Sequence, residues 1–111
     1  EYEDLTWCGY FLKGRIGNTL VMINTEGEEV FSIQDAKITT RIDGYFDVEI
    51  GRKHGRLSPE MKLIIPIAYE EISECRNGFF TATIERDRGC QLVQEFDKDG
   101  RRIGKEVWVR Y

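Results

Sequence analysis

The side chains that could support catalysis or metal binding are few and scattered. His54 is the single histidine, so a histidine-based metal site would need carboxylates or thiols from other segments. We expect His54 to act as a packing group instead. The segment Asp97-Lys98-Asp99-Gly100 is similar to the first half of a calcium loop, but the glutamate that completes such a loop does not follow. Because Asp and Gly are ordinary turn residues, this segment predicts a hairpin turn.

Proton transfer is equally hard to place in the sequence. Glu70, Glu71 and Glu74 are close together, but no second group marks them as a site, and exposed carboxylates beside a strand are common. The sequence contains no Ser-His-Asp set, no P-loop and no dinucleotide-binding glycine motif. We therefore predict a protein that is not an enzyme, with no catalytic residues, no cofactor and no metal site.

The three cysteines, Cys8, Cys75 and Cys90, form no CxxC pair, and their odd number leaves one unpaired. Free thiols are typical of a reducing compartment, so we expect a cytoplasmic location. No run of about 18 apolar residues is present, and we expect no transmembrane helix. The sequence begins at Glu1 rather than at a methionine, which is typical of a fragment or a processed product.

A tripeptide that returns three times organises the chain. Gly9-Tyr10-Phe11, Gly44-Tyr45-Phe46 and Gly78-Phe79-Phe80 are spaced by 35 and 34 residues. A glycine followed by two aromatic residues at nearly constant spacing indicates a repeat protein. The chain of 111 residues is long enough for one modest core. We predict a single domain, 1–111, built from units at approximately 1–33, 34–66 and 67–111.

Alternation and turn signals predict strands and no helix in each unit. In the first unit, Gly17-Asn18 separates β-prone residues 10–16 and 20–23, which is a hairpin signal, and residues 29–33 form a third strand. In the second unit, residues 51–55 are predicted to be a turn and Pro66 to end a strand. Alternation also assigns one buried face to two matching sets of residues. These are Phe46, Val48 and Ile50, and Phe80, Ala82 and Ile84.

Several segments resemble a WG (KWG) repeat. The match begins at Lys53-His54-Gly55-Arg56-Leu57-Ser58, with His54-Gly55 at the Trp-Gly position, and continues through residues 62–66 and Tyr69-Glu70-Glu71-Ile72. The turn portion of the repeat is similar to residues 23–30 and 96–100. The resemblance implies stacked β-hairpins in a mostly uncharacterised bacterial family, and it implies no particular reaction.

These observations predict an all-β fold with three tandem β-hairpin or meander repeats of about 35 residues, packed into one array. A β-trefoil-like arrangement or a small closed barrel is the alternative, because three units of several strands suit threefold symmetry. The usual trefoil repeat is somewhat longer.

The doubled aromatic residues suggest where a ligand would bind. Adjacent residues of a strand point to opposite faces, so Phe11, Phe46 and Phe80 in the core would place the preceding rings on the reverse face. The predicted binding residues are therefore Tyr10, Tyr45 and Phe79, which would form an outward row. The alternative is that both faces are covered, as in a barrel or trefoil.

The most probable partner class, given an aromatic row without catalytic groups, is another protein. We predict a non-catalytic binding module that mediates protein–protein interaction through a WG-like repeat surface. Two alternatives remain: a small immunity or inhibitor protein that occludes an enzyme, and a carbohydrate-binding β domain. The net charge of −4 makes nucleic acid an unfavourable partner.

Overall fold

The protein is an all-β structure, which confirms the predicted fold class. The computed structural model describes residues 2–87 and 89–110, except for the side chains of residues 86 and 87. Within these residues, twelve strands form three antiparallel sheets of four strands each. This described part has no helix that is long and apolar enough to cross a membrane.

Sheet 1 is a meander in which the strands neighbour one another in chain order. It contains β1 (Glu3–Cys8), β2 (Phe11–Ile16), β3 (Thr19–Ile23) and β4 (Glu29–Gln34). The register pairs Ile16 directly with Thr19, so the predicted Gly-Asn signal does form a two-residue hairpin between β2 and β3.

Sheet 2 has the same order and contains β5 (Lys37–Thr40), β6 (Phe46–Ile50), β7 (Lys53–Leu57) and β8 (Leu63–Tyr69). Sheet 3 contains β9 (Glu71–Ile72), β10 (Phe79–Asp87), β11 (Cys90–Asp97) and β12 (Arg102–Arg110). The predicted unit boundaries after residues 33 and 66 lie close to the ends of β4 and β8.

The sheets follow one another in an elongated body of 48 × 27 × 19 Å and do not close into a barrel within the described residues. Two clusters of buried side chains join them. The first joins sheets 1 and 2 and includes Leu20, Met22, Ile38 and Phe46. The second joins sheets 2 and 3 and includes Ile65, Tyr69, Phe80 and Phe96. Each sheet thus buries apolar surface against its neighbour in the chain.

The glycines of the repeated tripeptide occupy equivalent places. Gly9, Gly44 and Gly78 all have positive φ, and each lies in the turn between the first and second strands of its sheet. The strand that follows each glycine is therefore the same element in all three units, as the repeat predicts. Glycine suits these turns because a side chain would strain the backbone at such φ values.

A second turn also repeats, between the third and fourth strands. Asn24 Oδ1 accepts hydrogen bonds from the amides of Glu26 and Glu28, at 2.9 Å each. Ser58 Oγ and Asp97 Oδ1 accept the corresponding amide hydrogen bonds in the other two sheets. These side chains mimic a backbone turn. The segment Asp97-Lys98-Asp99-Gly100, which is similar to a calcium loop in sequence, therefore forms a hairpin turn, as predicted.

Three strand predictions differ from the structure. Sheet 1 has four strands rather than the three predicted for the first unit, because residues 3–8 pair with β2 as an additional strand. The predicted turn at residues 51–55 is wrong beyond Arg52, since Lys53 already belongs to β7. Its polar sequence has weak β-propensity, but pairing with both β6 and β8 overrides that preference.

Pro66 also lies inside β8 rather than at its end. A proline is tolerated there because β8 is an edge strand and its register shifts beside Pro66. On the opposite strand, a Cβ atom added to Gly55 would lie 2.7 Å from the carbonyl oxygen of Ile65. Gly55 therefore permits the close passage of β8 across β7.

The predicted buried face is correct with one exception. Phe46, Val48, Phe80 and Ala82 are buried, and Ile84 is partly buried. Ile50 is 36% exposed, because it is the last residue of β6 and lies next to the turn into β7. The alternation therefore identifies the core face in the middle of each strand but not at its end.

Candidate functional site

The β1–β2 turn and the β5–β6 turn meet at the junction of sheets 1 and 2, where they enclose a pocket of about 350 Å³. The pocket is lined by the two turn glycines and by mostly apolar side chains. The apolar side chains are those of Tyr10, Phe11, Tyr45, Phe46 and Pro59, and Thr40 and Arg41 complete the lining. Apolar concave surfaces with a few polar groups are typical ligand sites.

The wall of this pocket depends on the repeated glycine. Phe11 and Phe46 pack edge to face with their ring centroids 5.9 Å apart. A Cβ atom added to Gly9 would lie 3.1 Å from Cζ of Phe46, and Gly9 has a φ of +66°. The glycine therefore brings the first turn directly against the Phe46 ring, which shapes one side of the pocket.

Tyr10 stands at the rim of the pocket and is 86% exposed. Ile42, in the β5–β6 turn, is 95% exposed. Both side chains lie outside the core. A single exposed apolar side chain is ordinary, whereas contiguous apolar surface marks binding sites. The two turns thus present apolar surface both in the pocket and beside it.

Tyr45 connects the pocket to sheet 3. Its ring packs edge to face against Phe80, with the centroids 4.9 Å apart, and its hydroxyl donates a hydrogen bond to the carbonyl oxygen of Lys98 at 3.1 Å. Burial raises the pKa of the Tyr45 hydroxyl, and nearby Cys75 adds to that increase. Tyr45 is thus both a pocket residue and a link between two sheets.

The structure brings together two of the three predicted binding residues. Tyr10 and Tyr45 line the same pocket, whereas Phe79 lies outside it, half exposed at the start of β10. The three rings do not form one outward row, because Tyr45 turns toward Phe80 while Tyr10 remains in solvent. Alternation alone does not reveal this, since each of these rings lies at the end of a turn.

Polar contacts from sheet 3 hold the β5–β6 turn in place. Asp43 Oδ1 accepts a hydrogen bond from the amide of Tyr45, and its Oδ2 accepts one from the amide of Cys75 at 2.8 Å. Arg41 forms a salt bridge with Glu74. Burial raises the pKa of the Asp43 carboxyl, but the two amide hydrogen bonds outweigh it and lower the pKa below its usual value. The pocket wall is therefore fixed before any ligand binds.

A second, polar cavity of about 270 Å³ lies between sheets 2 and 3 and contains His54 and Asp47. His54 Nδ1 lies 2.9 Å from Asp47 Oδ2, and its Nε2 lies 3.9 Å from Glu49 Oε2. One donor atom from each of these three residues falls within 4.8 Å of the others, which is close enough for a metal ion. However, the guanidinium of Arg56 lies 3.9 Å from Asp47 and already supplies positive charge there. We therefore interpret the cluster as a structural polar network around Asp47, in which His54 has a role beyond the packing expected for it.

Sequence reasoning missed Arg56, the largest fully buried side chain among the described residues. Its Nη2 donates a hydrogen bond of 2.7 Å to the carbonyl oxygen of Ile72, which links sheet 2 to sheet 3. Burial lowers the pKa of the Arg56 guanidinium, while the Asp47 carboxylate opposes that effect. The one sequence signal for a buried Arg56 is its position beside Leu57 in the WG-like segment.

The cysteines are free thiols, as expected from their odd number. Cys8 is buried in the first apolar cluster, and this burial raises the pKa of its thiol. A raised pKa keeps a thiol protonated and unreactive at neutral pH. Cys8 is therefore a packing residue.

No protein-family model matches the chain, and no curated protein is significantly similar to it. The WG-repeat resemblance consequently remains a prediction that depends on the sequence motifs alone.

Proposed function

We propose that this protein is a non-catalytic module that binds a protein partner through the pocket between sheets 1 and 2. The observation that supports this proposal most directly is the apolar pocket with Tyr10 at its rim. Tyrosine provides a large contact area and loses little rotamer entropy on binding, which makes it effective at interfaces.

The ligand that best fits the lining is a peptide segment with one bulky apolar side chain. Phe11, Phe46 and Pro59 offer apolar contacts inside the pocket, and the exposed Ile42 extends the apolar surface beside it. A buried aromatic or aliphatic anchor surrounded by weaker contacts is the usual arrangement of binding energy at a protein interface. The partner would therefore insert an aromatic or aliphatic residue between the two turns.

The same lining makes a carbohydrate ligand less favourable. Sugar hydroxyls need hydrogen-bonding partners when they leave water, and the lining residues are mostly apolar. The charged group among them, Arg41, is paired with Glu74 through Nη2, and its unpartnered Nε is buried away from solvent. An apolar peptide anchor loses less solvation free energy here than a sugar would.

The three free thiols support a reducing, cytoplasmic location as part of this proposal.

Selection from a phage-displayed library of random peptides tests the proposal. We expect the selected peptides to share an aromatic or aliphatic residue, and a Tyr10→Ala variant to bind them about tenfold more weakly or worse by fluorescence polarisation. Phe79→Ala is the matched control, because Phe79 is an exposed aromatic residue outside the pocket.

Equal binding of the selected peptides to wild type and Tyr10→Ala would contradict the proposed site. Loss of binding in Phe79→Ala but not in Tyr10→Ala would move the site to sheet 3. A selection that yields no peptide with an apolar anchor would contradict the proposed ligand class.

A further inference from the structure

The strand β12 forms an exposed edge of sheet 3. It is nine residues long, and β11 is its single neighbour in the sheet among the described residues. Its outer backbone groups are therefore available for pairing with another strand. Val107 and Trp108 are both more than half exposed, and Val109 is 42% exposed. An exposed apolar edge of this kind favours association with a further strand.

Natural edge strands are usually protected, and two other edges of this protein show such protection. The first edge strand, β1, contains Asp4 with a φ of +55° and an irregular register. The edge strand β8 contains Pro66 and a register shift. Such features prevent a second strand from pairing along the whole edge.

The strand β12 also contains a residue with positive φ, Gly104, and a register shift between Ile103 and Val107. Its outer part, from Val107 onward, lacks these features. Val107, Trp108, Val109 and Arg110 pair with β11 in an unbroken register, opposite Val93, Leu92, Gln91 and Cys90 respectively. The segment contains no proline and no residue with positive φ. It is a regular strand that can accept an antiparallel neighbour.

Together with Glu106, which directly precedes the unbroken register, this segment has a self-complementary sequence. Glu106-Val107-Trp108-Val109-Arg110 is symmetric in residue type around Trp108, apart from the charges at its two ends, which are opposite. If two copies pair antiparallel with Trp108 facing Trp108, each Val107 faces the second copy's Val109, and each Glu106 faces the second copy's Arg110. Directly opposite β-branched residues and opposite charges both stabilise a strand pair.

Other arrangements of two copies are less favourable. A parallel pair in register would place Glu106 against Glu106 and Arg110 against Arg110, and like charges directly opposite each other are destabilising. An antiparallel pair shifted so that Val107 faces Trp108 would place Lys105 against Arg110. Only the pairing centred on Trp108 matches the two charges.

We propose that β12 pairs with β12 of a second copy of this chain. This pairing creates a twofold-symmetric dimer in which the two copies of sheet 3 form one eight-stranded antiparallel sheet. Because each copy uses the same strand, the dimer is closed and does not extend into a fibre. The pocket between sheets 1 and 2 takes no part in this interface, so the proposal is independent of the proposed ligand.

Analytical ultracentrifugation of the wild type and two charge-reversal variants tests the pairing. We expect a concentration-dependent dimer for the wild type. Glu106→Arg and Arg110→Glu should each dimerise about tenfold more weakly, because each change places two pairs of like charges at the interface. An equimolar mixture of the two variants should recover dimerisation. In the mixed dimer, the arginine introduced by Glu106→Arg faces the glutamate introduced by Arg110→Glu, and the unchanged Arg110 of one copy faces the unchanged Glu106 of the other.

Glu26→Arg and Arg52→Glu are the matched controls, since both residues are exposed in turns outside sheet 3. Far-UV circular dichroism confirms that each variant retains its strands. A wild type that stays monomeric throughout the micromolar range would overturn the proposal. Equally strong dimerisation of the variants and the wild type, or a mixture that fails to recover dimerisation, would overturn the Trp108-centred register.

Discussion

The guanidinium of Arg56 lies 5.6 Å from the centroid of the Phe80 ring. Arg56 belongs to β7 in sheet 2 and Phe80 to β10 in sheet 3, and both side chains are almost completely buried. The contact has the geometry of a cation–π interaction, which is stronger in a desolvated site. A charged side chain therefore lies buried at the junction between two sheets, beside the apolar cluster that joins them.

Replacement of Arg56 by alanine should lower the free energy of unfolding by about 3 kcal/mol. The change removes the hydrogen bond to Ile72, the contact with Phe80 and the positive charge beside Asp47. Arg56→Met should cost less, since methionine fills much of the same volume without a buried charge. Urea unfolding measures both variants, with the exposed Arg52→Ala as control. A midpoint unchanged in Arg56→Ala would show that the junction does not depend on this residue.

Truncation of Phe46 or Phe80 to alanine should cost about 3–5 kcal/mol, because both rings are buried in the clusters that join the sheets. Phe79→Ala is the natural comparison, since its ring is half exposed and adjacent in sequence to Phe80. We expect a much smaller loss in that variant. Thermal or urea unfolding measures the difference. A larger loss of stability at position 79 than at position 80 would invert the assignment of the two faces, and equal losses would show that both rings support the fold.

Tyr10 and Tyr45 should respond differently to truncation, although they hold equivalent positions in the repeat. Tyr45→Ala removes the packing against Phe80 and the hydrogen bond to Lys98, so we expect a loss of about 3 kcal/mol in stability. Tyr45→Phe removes only the hydrogen bond and should cost about 1 kcal/mol. Tyr10→Ala should leave the unfolding midpoint unchanged. A stable Tyr45→Ala variant would favour the simpler outward row of rings.

The stability of the protein should fall in acid partly because of Asp43. Its pKa is lowered in the folded state, so the carboxylate stabilises the fold above its unfolded pKa of about 3.9. That contribution is lost as the pH falls below about 4 and through the folded pKa. Asp43→Asn should be less stable than wild type at neutral pH, because its single side-chain oxygen cannot accept both amide hydrogen bonds in the same way.

The two proteins should then become more similar in stability as the pH falls through the lowered folded-state pKa of Asp43. Urea unfolding at several pH values measures this convergence. Parallel pH profiles for Asp43→Asn and wild type would show that another carboxyl group carries the acid sensitivity. Asp97, whose pKa is lowered mainly by the amide hydrogen bond from Arg101, is the first alternative.

Gly55 and Gly14, two glycines without positive φ, test whether β8 passes as close to β7 as the structure shows. A Cβ atom on Gly55 would meet the backbone oxygen of Ile65 at 2.7 Å, so Gly55→Ala should cost about 1–3 kcal/mol. A Cβ atom on Gly14 would lie 2.9 Å from Cδ2 of Leu5, the mobile end of a side chain that can move aside. Gly14→Ala should therefore be better tolerated. Equal unfolding midpoints for the two variants would contradict the close passage of β8 over β7.

The sequence alone determined the repeated β architecture. The glycine before each aromatic pair permits a turn with positive φ, and the alternation after it indicates a strand with one apolar face. Both are local properties of the backbone and of adjacent residues, so they can be read without knowing the neighbours. Gly9, Gly44 and Gly78 therefore mark equivalent turns, and Phe46 and Phe80 lie in the core as predicted.

The junctions between the sheets were decided only by tertiary structure. Tyr10 and Tyr45 have the same place in the repeat, yet Tyr10 is in solvent and Tyr45 packs against Phe80. Sheet 3 covers the Tyr45 ring, whereas sheet 2 contacts the first turn at Gly9 and leaves the Tyr10 ring exposed. Arg56 is buried because its partners, Ile72 and Phe80, come from another unit. Alternation specifies which face of a strand is apolar, but the neighbouring sheet decides what that face and its edges contact.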